Sequence, residues 1–239
     1  MGRPMLGPSE YHAVHVADAW NETRQLRGIR LALPPELERT HQWPGQVVEV
    51  RTAAGDAFFA LATAPRPDGQ EELLLKRGHP VADAVITRGA PGGSLEVTTP
   101  FGKGFPIEEA RGKDVLLFAA GSGIGPIRAI VQHLIERRDG FGRVTLFYGQ
   151  RRGEDFAYRD EHLSWERRGV RVILCPSGED DAWQGVRGRV QSVARALAFG
   201  GSAPEDAMAY VCGMTAMVDD VRRTLARAGL PAERVHVNF

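Results

Sequence analysis

The chain has 239 residues, 43% hydrophobic and 25% charged, so it is long enough for one large domain or two small ones with buried cores. Its 30 basic and 30 acidic residues give a formal net charge of zero, which removes the usual electrostatic reason for nucleic acid or an anionic membrane to be the main partner. No apolar run approaches the roughly 20 residues that span a bilayer. Residues 1–11 lack the apolar core of a secretory signal, so we expect a cytoplasmic protein without membrane insertion.

The first half of the chain predicts short strands separated by turns. Residues rich in glycine, proline and aspartate, such as Pro34-Pro35 and Pro44-Gly45, separate segments rich in β-branched and aromatic residues. The segment Ala82–Thr87 is a candidate short helix. Short strands with turns at this spacing are typical of an antiparallel barrel or sandwich. The predicted strands are Tyr11–Val16, Thr23–Leu33, Gln46–Thr52, Phe58–Ala64, Glu71–Lys76 and Ser94–Thr98.

The pattern changes after Gly112. Asp114–Ala120 is a continuous apolar run, as expected of a strand buried on both faces, and Ile127–Arg138 repeats its apolar residues with helical period. Strands and helices alternate from there onward, which predicts a parallel, doubly wound sheet. We expect one domain over residues 1–111 and a second over residues 112–239. The later predicted strands are Arg143–Tyr148, Val170–Cys175, Ala207–Cys212 and Arg234–Phe239, and the later helices are Tyr158–Arg168, Val190–Leu197 and Thr215–Ala228.

The cysteines and histidines do not have the spacing of metal ligands. Cys175 and Cys212 each end an apolar run, so we expect them to be buried strand residues in a reducing compartment. The seven histidines show neither an HxxxH nor an HExxH spacing, and no metal site is predicted.

The most informative segment is Gly121-Ser122-Gly123-Ile124-Gly125-Pro126, between the first buried strand and its helix. Its glycines allow a tight turn and let an anion approach without a Cβ in the way. Pro126 suits the first turn of a helix, where a missing N–H costs nothing. The free amides and the positive end of the helix would then face a pyrophosphate, so the segment predicts a dinucleotide site. A purely structural tight turn is the alternative.

With this segment in place, the chain resembles the ferredoxin–NADP reductase superfamily, in which a flavin-binding β-barrel precedes a nicotinamide-binding α/β domain. The match extends from about Tyr11 to the C-terminus, which is aromatic (Phe239), as in many members. It is most similar to a branch that includes plant fruit-type oxidoreductases. Four further segments match family motifs in order: Trp43-Pro44-Gly45-Gln46, Thr99-Pro100-Phe101-Gly102, Tyr148-Gly149-Gln150-Arg151 and Cys212-Gly213-Met214-Thr215-Ala216-Met217, where Met214 replaces a proline.

The resemblance implies FAD on the barrel, held by an RxYS segment and a GxxS/T loop. The residues at the RxYS positions run from Ala57 to Ala60, so arginine and serine are absent and Phe59 keeps only the aromatic ring. The absence of one charge-assisted hydrogen bond weakens binding about tenfold to a hundredfold. The flavin-binding residues implied in this way are Phe59, Ala60, Leu61, Ala62, Gly78, Val81 and Ala82, and the cations that could replace the arginine are Lys76, Arg77, His79 and Lys103.

The resemblance also implies the nicotinamide site. Cys212 would stand beside the nicotinamide and Phe239 would cover the flavin, although each is equally explained as an ordinary buried residue. The acidic segment Ser177–Asp181 follows the third strand of the parallel sheet, and Arg187 and Arg189 are several residues away, which favours NAD over NADP. A solvated acidic turn that contacts no ligand is the alternative. The implied dinucleotide-binding residues are Gly121, Ser122, Gly123, Ile124, Gly125, Pro126, Gln150, Arg151, Ser177, Gly213, Met214 and Met217.

The sequence therefore predicts a flavin-dependent NAD(P)H oxidoreductase that moves electrons between a nicotinamide cofactor and an unidentified acceptor via FAD. The acceptor would be an electron-carrier protein or a small molecule. The alternative is a flavin-free, nucleotide-binding accessory or regulatory subunit with the same fold, motivated by Ala57, Ala60, Val81 and Ala82. The oligomeric state is not specified by the sequence.

Overall fold

The computed structural model describes residues 10–179, 182–197 and 206–238. They form two sheets, a six-stranded antiparallel sheet in the first half and a five-stranded parallel sheet in the second. The change from one sheet to the other falls between Val97 and Asp114. None of the helices in these ranges has the length and apolar character needed to cross a membrane.

The first sheet is a nearly closed barrel with the strand order β4-β3-β6-β1-β2-β5. Its two end strands approach each other where Leu61 bridges Leu73, which nearly closes the barrel. The strands are β1 (His12–Asn21), β2 (Leu26–Ala32), β3 (Val47–Thr52), β4 (Gly55–Ala60), β5 (Gln70–Lys76) and β6 (Ser94–Val97), and the helices are α1 (Pro35–Glu38) and α2 (Pro80–Arg88).

The interior of the barrel follows the two-residue period of its strands. On β1, Val14 and Val16 are buried while His15 between them is exposed. Helix α2 packs Val81 and Val85 against the same interior cluster. The barrel core is therefore built from alternate strand residues and one face of a short helix.

The second sheet is parallel, with the order β11-β10-β7-β8-β9 and helices on both faces. Val115 and Leu117 pack in one core cluster with α3, whereas Leu116 and Phe118 pack in another with α5 and α6. The sheet is therefore buried on both sides. Its elements are β7 (Asp114–Ala120), α3 (Ile124–Glu136), β8 (Val144–Gln150), α4 (Arg159–Arg167), β9 (Val170–Pro176), α5 (Val190–Leu197), β10 (Ala207–Cys212), α6 (Thr215–Arg227) and β11 (Val235–Val237).

The predicted architecture, an antiparallel barrel followed by a doubly wound parallel sheet, is confirmed. Several elements differ from the prediction in their bounds, and one helix was not predicted. Strand β1 continues to Asn21 because it pairs with β2 from His15 onward, across an irregularity between Val16 and Asp18, whereas only His12–His15 pair with β6. Helix α3 begins at Ile124, so the last three residues of the glycine-rich segment lie in its first turn. The short helix α1 was not predicted.

Candidate functional site

A cavity of about 1030 Å³ lies between the barrel and the carboxyl ends of the parallel strands. The barrel contributes Phe58, Ala60 and Lys76 to its wall, and the turn after β7 contributes residues 121–123. The carboxyl edge of a parallel sheet is where open α/β folds bind ligands. The volume is at the upper end of the roughly 300–1,000 Å³ usual for ligand pockets.

The glycine-rich turn is one turn of 3₁₀-helix over Gly121–Gly123 that continues into α3. Gly121 has a φ of +59° and open space where a Cβ would be. At Gly123, a Cβ would lie 2.4 Å from the carbonyl oxygen of Cys212 and 3.0 Å from the nitrogen of Gly213. Gly121 therefore supplies the left-handed backbone and an open approach, while Gly123 lets the turn pack against the end of β10.

Tyr148 fixes the start of this turn from the neighbouring strand. Its hydroxyl donates to the carbonyl oxygen of Gly121 at 3.4 Å and accepts from the Nε2 of Gln150 at 2.8 Å. It also accepts from the backbone N–H of Ala157 at 3.2 Å. Burial raises the pKa of Tyr148 well above its ordinary value, so the hydroxyl remains protonated and the three contacts persist at neutral pH.

The structure brings most of the sequence-predicted site residues to this one cavity. From the barrel these are Phe59 and Ala60. From the second sheet and its loops they are Gly121, Ser122, Gly123, Gly125, Pro126, Gln150, Arg151, Ser177, Cys212, Gly213, Met214 and Met217.

Six predicted residues do not line the described wall of the cavity, and Phe239 lies outside the described residues. Leu61, Ala62 and Ile124 are fully buried behind the wall, in the barrel core and under the first turn of α3. The other three, Gly78, Val81 and Ala82, belong to the loop and helix that follow β5.

That loop satisfies its own backbone. The N–H of Gly78 donates to both carboxylate oxygens of Asp83, at 3.1 and 3.2 Å. Val81 and Ala82 are buried on α2, where Val81 is part of the barrel core. The Gly78 amide, in the loop that the family resemblance assigns to the flavin, is thus already paired with a carboxylate of the chain itself.

Phe58 is a cavity residue that the family motifs did not indicate. Its side chain is 40% exposed, and its ring lies edge-on to Phe101 at 5.8 Å between centroids. Phe59 also lines the cavity, but its side chain packs against the barrel core together with Ala57. Successive strand residues point to opposite faces, so alternation predicts that Phe58 and Phe59 face opposite sides of β4 but does not say which ring faces outward.

Both cysteines line the cavity and both are free thiols. Cys175 is fully buried on β9, whereas Cys212 is partly exposed at the last position of β10. Burial raises the pKa of each thiol to about 12. The thiols are therefore protonated at neutral pH, a state unsuited to nucleophilic attack. Among the described residues, no group of three His, Cys, Asp or Glu side chains could hold a metal ion.

The charged residues of the cavity wall favour an anionic ligand. Lys76, Arg151 and Arg189 are the cations, and Asp155 and Asp220 are the anions. The Asp220 carboxylate accepts from the Nε2 of Gln191 at 2.9 Å and also pairs with an arginine of its own helix. The sequence suggested that Arg189 was remote from Ser177, but the fold places both in the same wall.

Residues 117–223 match the family model for the Oxidoreductase NAD-binding domain. The chain is 28% identical to the Sulfhydrogenase 1 subunit gamma of Pyrococcus furiosus, over 99% of this chain and 82% of that protein. It is 26% identical to the fruit protein pKIWI502 of Actinidia deliciosa, over 87% of this chain and 70% of that protein.

Among solved structures, a ferredoxin NADP+ reductase from Neisseria gonorrhoeae with bound FAD and NADP superposes with a TM-score of 0.78. The match covers 97% of this chain and 100% of that one at 19% identity, which is a likeness of fold. The chain therefore has a ferredoxin reductase-like fold, its residues 117–223 match an oxidoreductase NAD-binding domain, and the plant fruit protein is among its homologues.

Proposed function

We propose that this chain is a flavin-dependent NAD(P)H oxidoreductase that moves electrons between a nicotinamide cofactor and an acceptor via FAD. The observation that supports this best is the single cavity, whose wall contains both an exposed aromatic ring of the barrel, Phe58, and the glycine-rich turn Gly121–Gly123. A redox ring on the barrel and a dinucleotide on the turn would then share one space. The proposal includes two domains, 1–111 and 112–239, that meet at this cavity.

The dinucleotide is expected to lie along the carboxyl edge of the parallel sheet. Main-chain amides of the glycine-rich turn and the N-terminal end of α3 would bind its diphosphate. The Cys212 thiol, protonated at neutral pH, would contact the nicotinamide without competing as a nucleophile. Ser177 at the end of β9 would contact the adenosine end, and its hydroxyl already donates to the carbonyl oxygen of Gln150 at 3.2 Å.

The flavin fits the barrel side of the cavity through a different set of contacts from the family motif. Phe58 supplies an exposed ring, and Lys76 is the one of the four candidate cations that lines the described wall. Arg77, its neighbour, instead donates to the Oδ1 of Asn21 at 3.0 Å. We therefore propose that Lys76 takes the place of the missing arginine. When bound, FAD would supply hydride acceptance and the release of single electrons.

The acceptor is proposed to be a partner protein. The relative that spans almost this entire chain is named as a subunit of a larger enzyme, sulfhydrogenase. A chain that works as a subunit has its electron acceptor or donor close by in the same assembly. Electrons would then pass between FAD and the partner protein, without a small-molecule acceptor that requires its own pocket.

A flavin-free accessory subunit is the second candidate, and one contact favours it. The Gly78 amide is hydrogen-bonded to Asp83, so the barrel loop offers no free amide there to a phosphate. In this alternative the cavity would bind a nicotinamide dinucleotide alone and the barrel would serve as a structural or docking unit.

The visible spectrum of the purified chain distinguishes the two candidates. The proposed enzyme should carry bound flavin, bleach on addition of NADH or NADPH, and lose FAD affinity about tenfold to a hundredfold in K76Q, because a charge-assisted contact is removed. R77Q is the matched control and should bind FAD like the wild type. A colourless chain that gains no FAD on titration, yet binds NADH, would support the accessory subunit instead.

A further inference from the structure

A partly buried polar cluster joins the barrel to the α/β half beside the glycine-rich turn. We define this junction cluster as Arg128, Glu72, Glu161, Tyr158 and Glu22. Two of its members belong to the barrel, Glu72 on β5 and Glu22 just after β1, and the other three belong to α3, α4 and the residue before α4. The cluster is therefore a connection between the two sheets through side chains that are far apart in the sequence.

Arg128, one helical turn beyond the start of α3, makes the first contact between the two halves. Its Nη1 donates to the carbonyl oxygen of Ala62 at 2.8 Å and to the Oε2 of Glu72 at 2.7 Å. Its Nε and Nη2 bind the Oε1 of Glu161 at 2.8 Å. A planar guanidinium with five donors suits such a set of acceptors, whereas a lysine would reach fewer of them.

Tyr158 makes the second contact between the two halves. Its ring lies under the Arg128 guanidinium at 4.5 Å, and its N–H donates to the Oε1 of Glu22. The other oxygen of Glu22 accepts from the Nε1 of Trp20 at 2.6 Å. Among the described residues, Tyr158 is the one non-glycine residue with a positive φ, +58°. A strained backbone of this kind persists where the surrounding contacts hold it.

The first turn of α3 is also packed directly on the barrel. A Cβ at Gly125 would lie 3.2 Å from the Cβ of Ala62 and 3.4 Å from the Cβ of Leu74. The helix that begins at the glycine-rich turn is thus seated against strand β5 and the residues after β4. Any shift of α3 against the barrel would move the glycine-rich turn relative to the cavity wall formed by the barrel.

Arg128 keeps its positive charge within the junction cluster. Burial alone would lower the pKa of Arg128, but the bond to Glu161 and the negative charge of Glu72 raise it above the ordinary arginine value. The guanidinium is therefore charged at neutral pH. The junction acts as a permanent connection, and removing Arg128 would leave the carboxylate of Glu72 buried beside only one cation, Arg30 at 3.0 Å.

We propose that Arg128 is a positioning residue that seats α3 on the barrel and so presets the distance between the nicotinamide and the redox ring on the barrel. This inference rests on the proposed function. Small errors in the placement of reacting groups are costly, since a misplacement of about 1 Å lowers a rate roughly a hundredfold. The two halves would then act as one rigid body, with no closing motion needed before hydride transfer.

The test compares R128M with R137M in the full-length chain. Arg137 is an exposed residue at the end of the same helix that pairs with Glu136, so R137M controls for the loss of an arginine. Three measurements are made: calorimetric unfolding without cofactors, NADH affinity by titration calorimetry, and the single-turnover rate of flavin reduction at saturating NADH. We expect wild type and R137M to unfold in one transition and R128M in two, because the halves lose their coupling.

We also expect R128M to reduce its flavin at least about tenfold more slowly with an NADH affinity within about twofold of wild type. A single transition in R128M, or a fall in NADH affinity that matches the fall in rate, overturns the inference. If R128M does not fold, E161Q replaces it and should show a smaller loss of rate at unchanged affinity. A wild-type chain that binds NADH but no flavin contradicts the proposed function, and the calorimetric comparison still decides the role of Arg128.

Discussion

At the scale of single residues, the glycines of the glycine-rich turn meet different constraints. Gly121 is needed for its positive φ, and the space around its missing Cβ is open toward the cavity. Gly123 has an ordinary helical backbone, with a φ of −61°, but it lies against the carbonyl oxygen of Cys212. One glycine therefore serves the ligand side of the turn and the other serves its packing on β10.

These constraints predict different results for the two alanine variants. G123A should destabilise the fold by about 1–3 kcal/mol, because a methyl group is forced against backbone atoms that cannot move independently. G121A should cost only about 1 kcal/mol from its left-handed backbone, yet weaken NADH binding, since its methyl projects toward the ligand. Urea unfolding and titration calorimetry measure the two quantities. Equal losses of affinity without a difference in stability would contradict this assignment.

At the scale of elements, helix α6 begins without a side-chain cap. Met214 occupies its N-cap position with an extended backbone (φ −62°, ψ 143°) and forms no capping hydrogen bond. Its side chain is 69% exposed on the cavity wall. The first N–H groups of α6 are therefore left to solvent or to a ligand, which suits the end of β10 for binding an anion.

A serine at this position should supply the missing cap. M214S is expected to raise the free energy of unfolding by about 1 kcal/mol, since its hydroxyl can accept from an N–H of the first turn. M214A removes the same side chain without adding an acceptor and is the matched control. Thermal unfolding of both variants tests this, and an equal gain in M214A would show that loss of the exposed methionine, rather than capping, is responsible.

At the scale of the whole molecule, two buried histidines and one half-buried histidine make stability depend on pH. Burial lowers the pKa of His162 to about 4 from its ordinary 6.5, and it also lowers the pKa values of His133 and His236. Between about pH 4 and the ordinary histidine pKa of 6.5, the unfolded chain binds a proton at His162 that the folded chain does not. The contribution of His162 to the free energy of unfolding is therefore complete above the ordinary histidine pKa and is lost as the pH falls toward 4.

We expect the free energy of unfolding to fall between neutral pH and about pH 4, with His162 contributing up to about 3 kcal/mol. The free energy of unfolding of H162Q should depend less steeply on pH, because the variant removes the histidine with the largest pKa shift and keeps a polar side chain of similar length. Urea unfolding at neutral pH and at about pH 5 measures the difference. Identical pH dependences in the two proteins would contradict the role given to His162.

The sequence by itself determined the features that depend on local patterns. The apolar run Asp114–Ala120 identified the first strand of the parallel sheet with the bounds that the structure has. The glycine-rich segment after it identified the turn, since strand, glycines and helix are contiguous. The short strands separated by turns in the first half and the alternation of strands and helices in the second were sufficient for the architecture.

Only the tertiary structure decided which side chains meet. It turned Phe58 rather than Phe59 outward, because the pairing of β4 with β3 in the barrel decides which face of the strand is exposed. It also brought Arg189 into the cavity wall and placed Arg128 between Glu72 and Glu161. These partners lie many residues apart, so no local period encodes their contact. Their positions follow from packing two sheets against each other, and a sequence pattern specifies each sheet but not the junction between them.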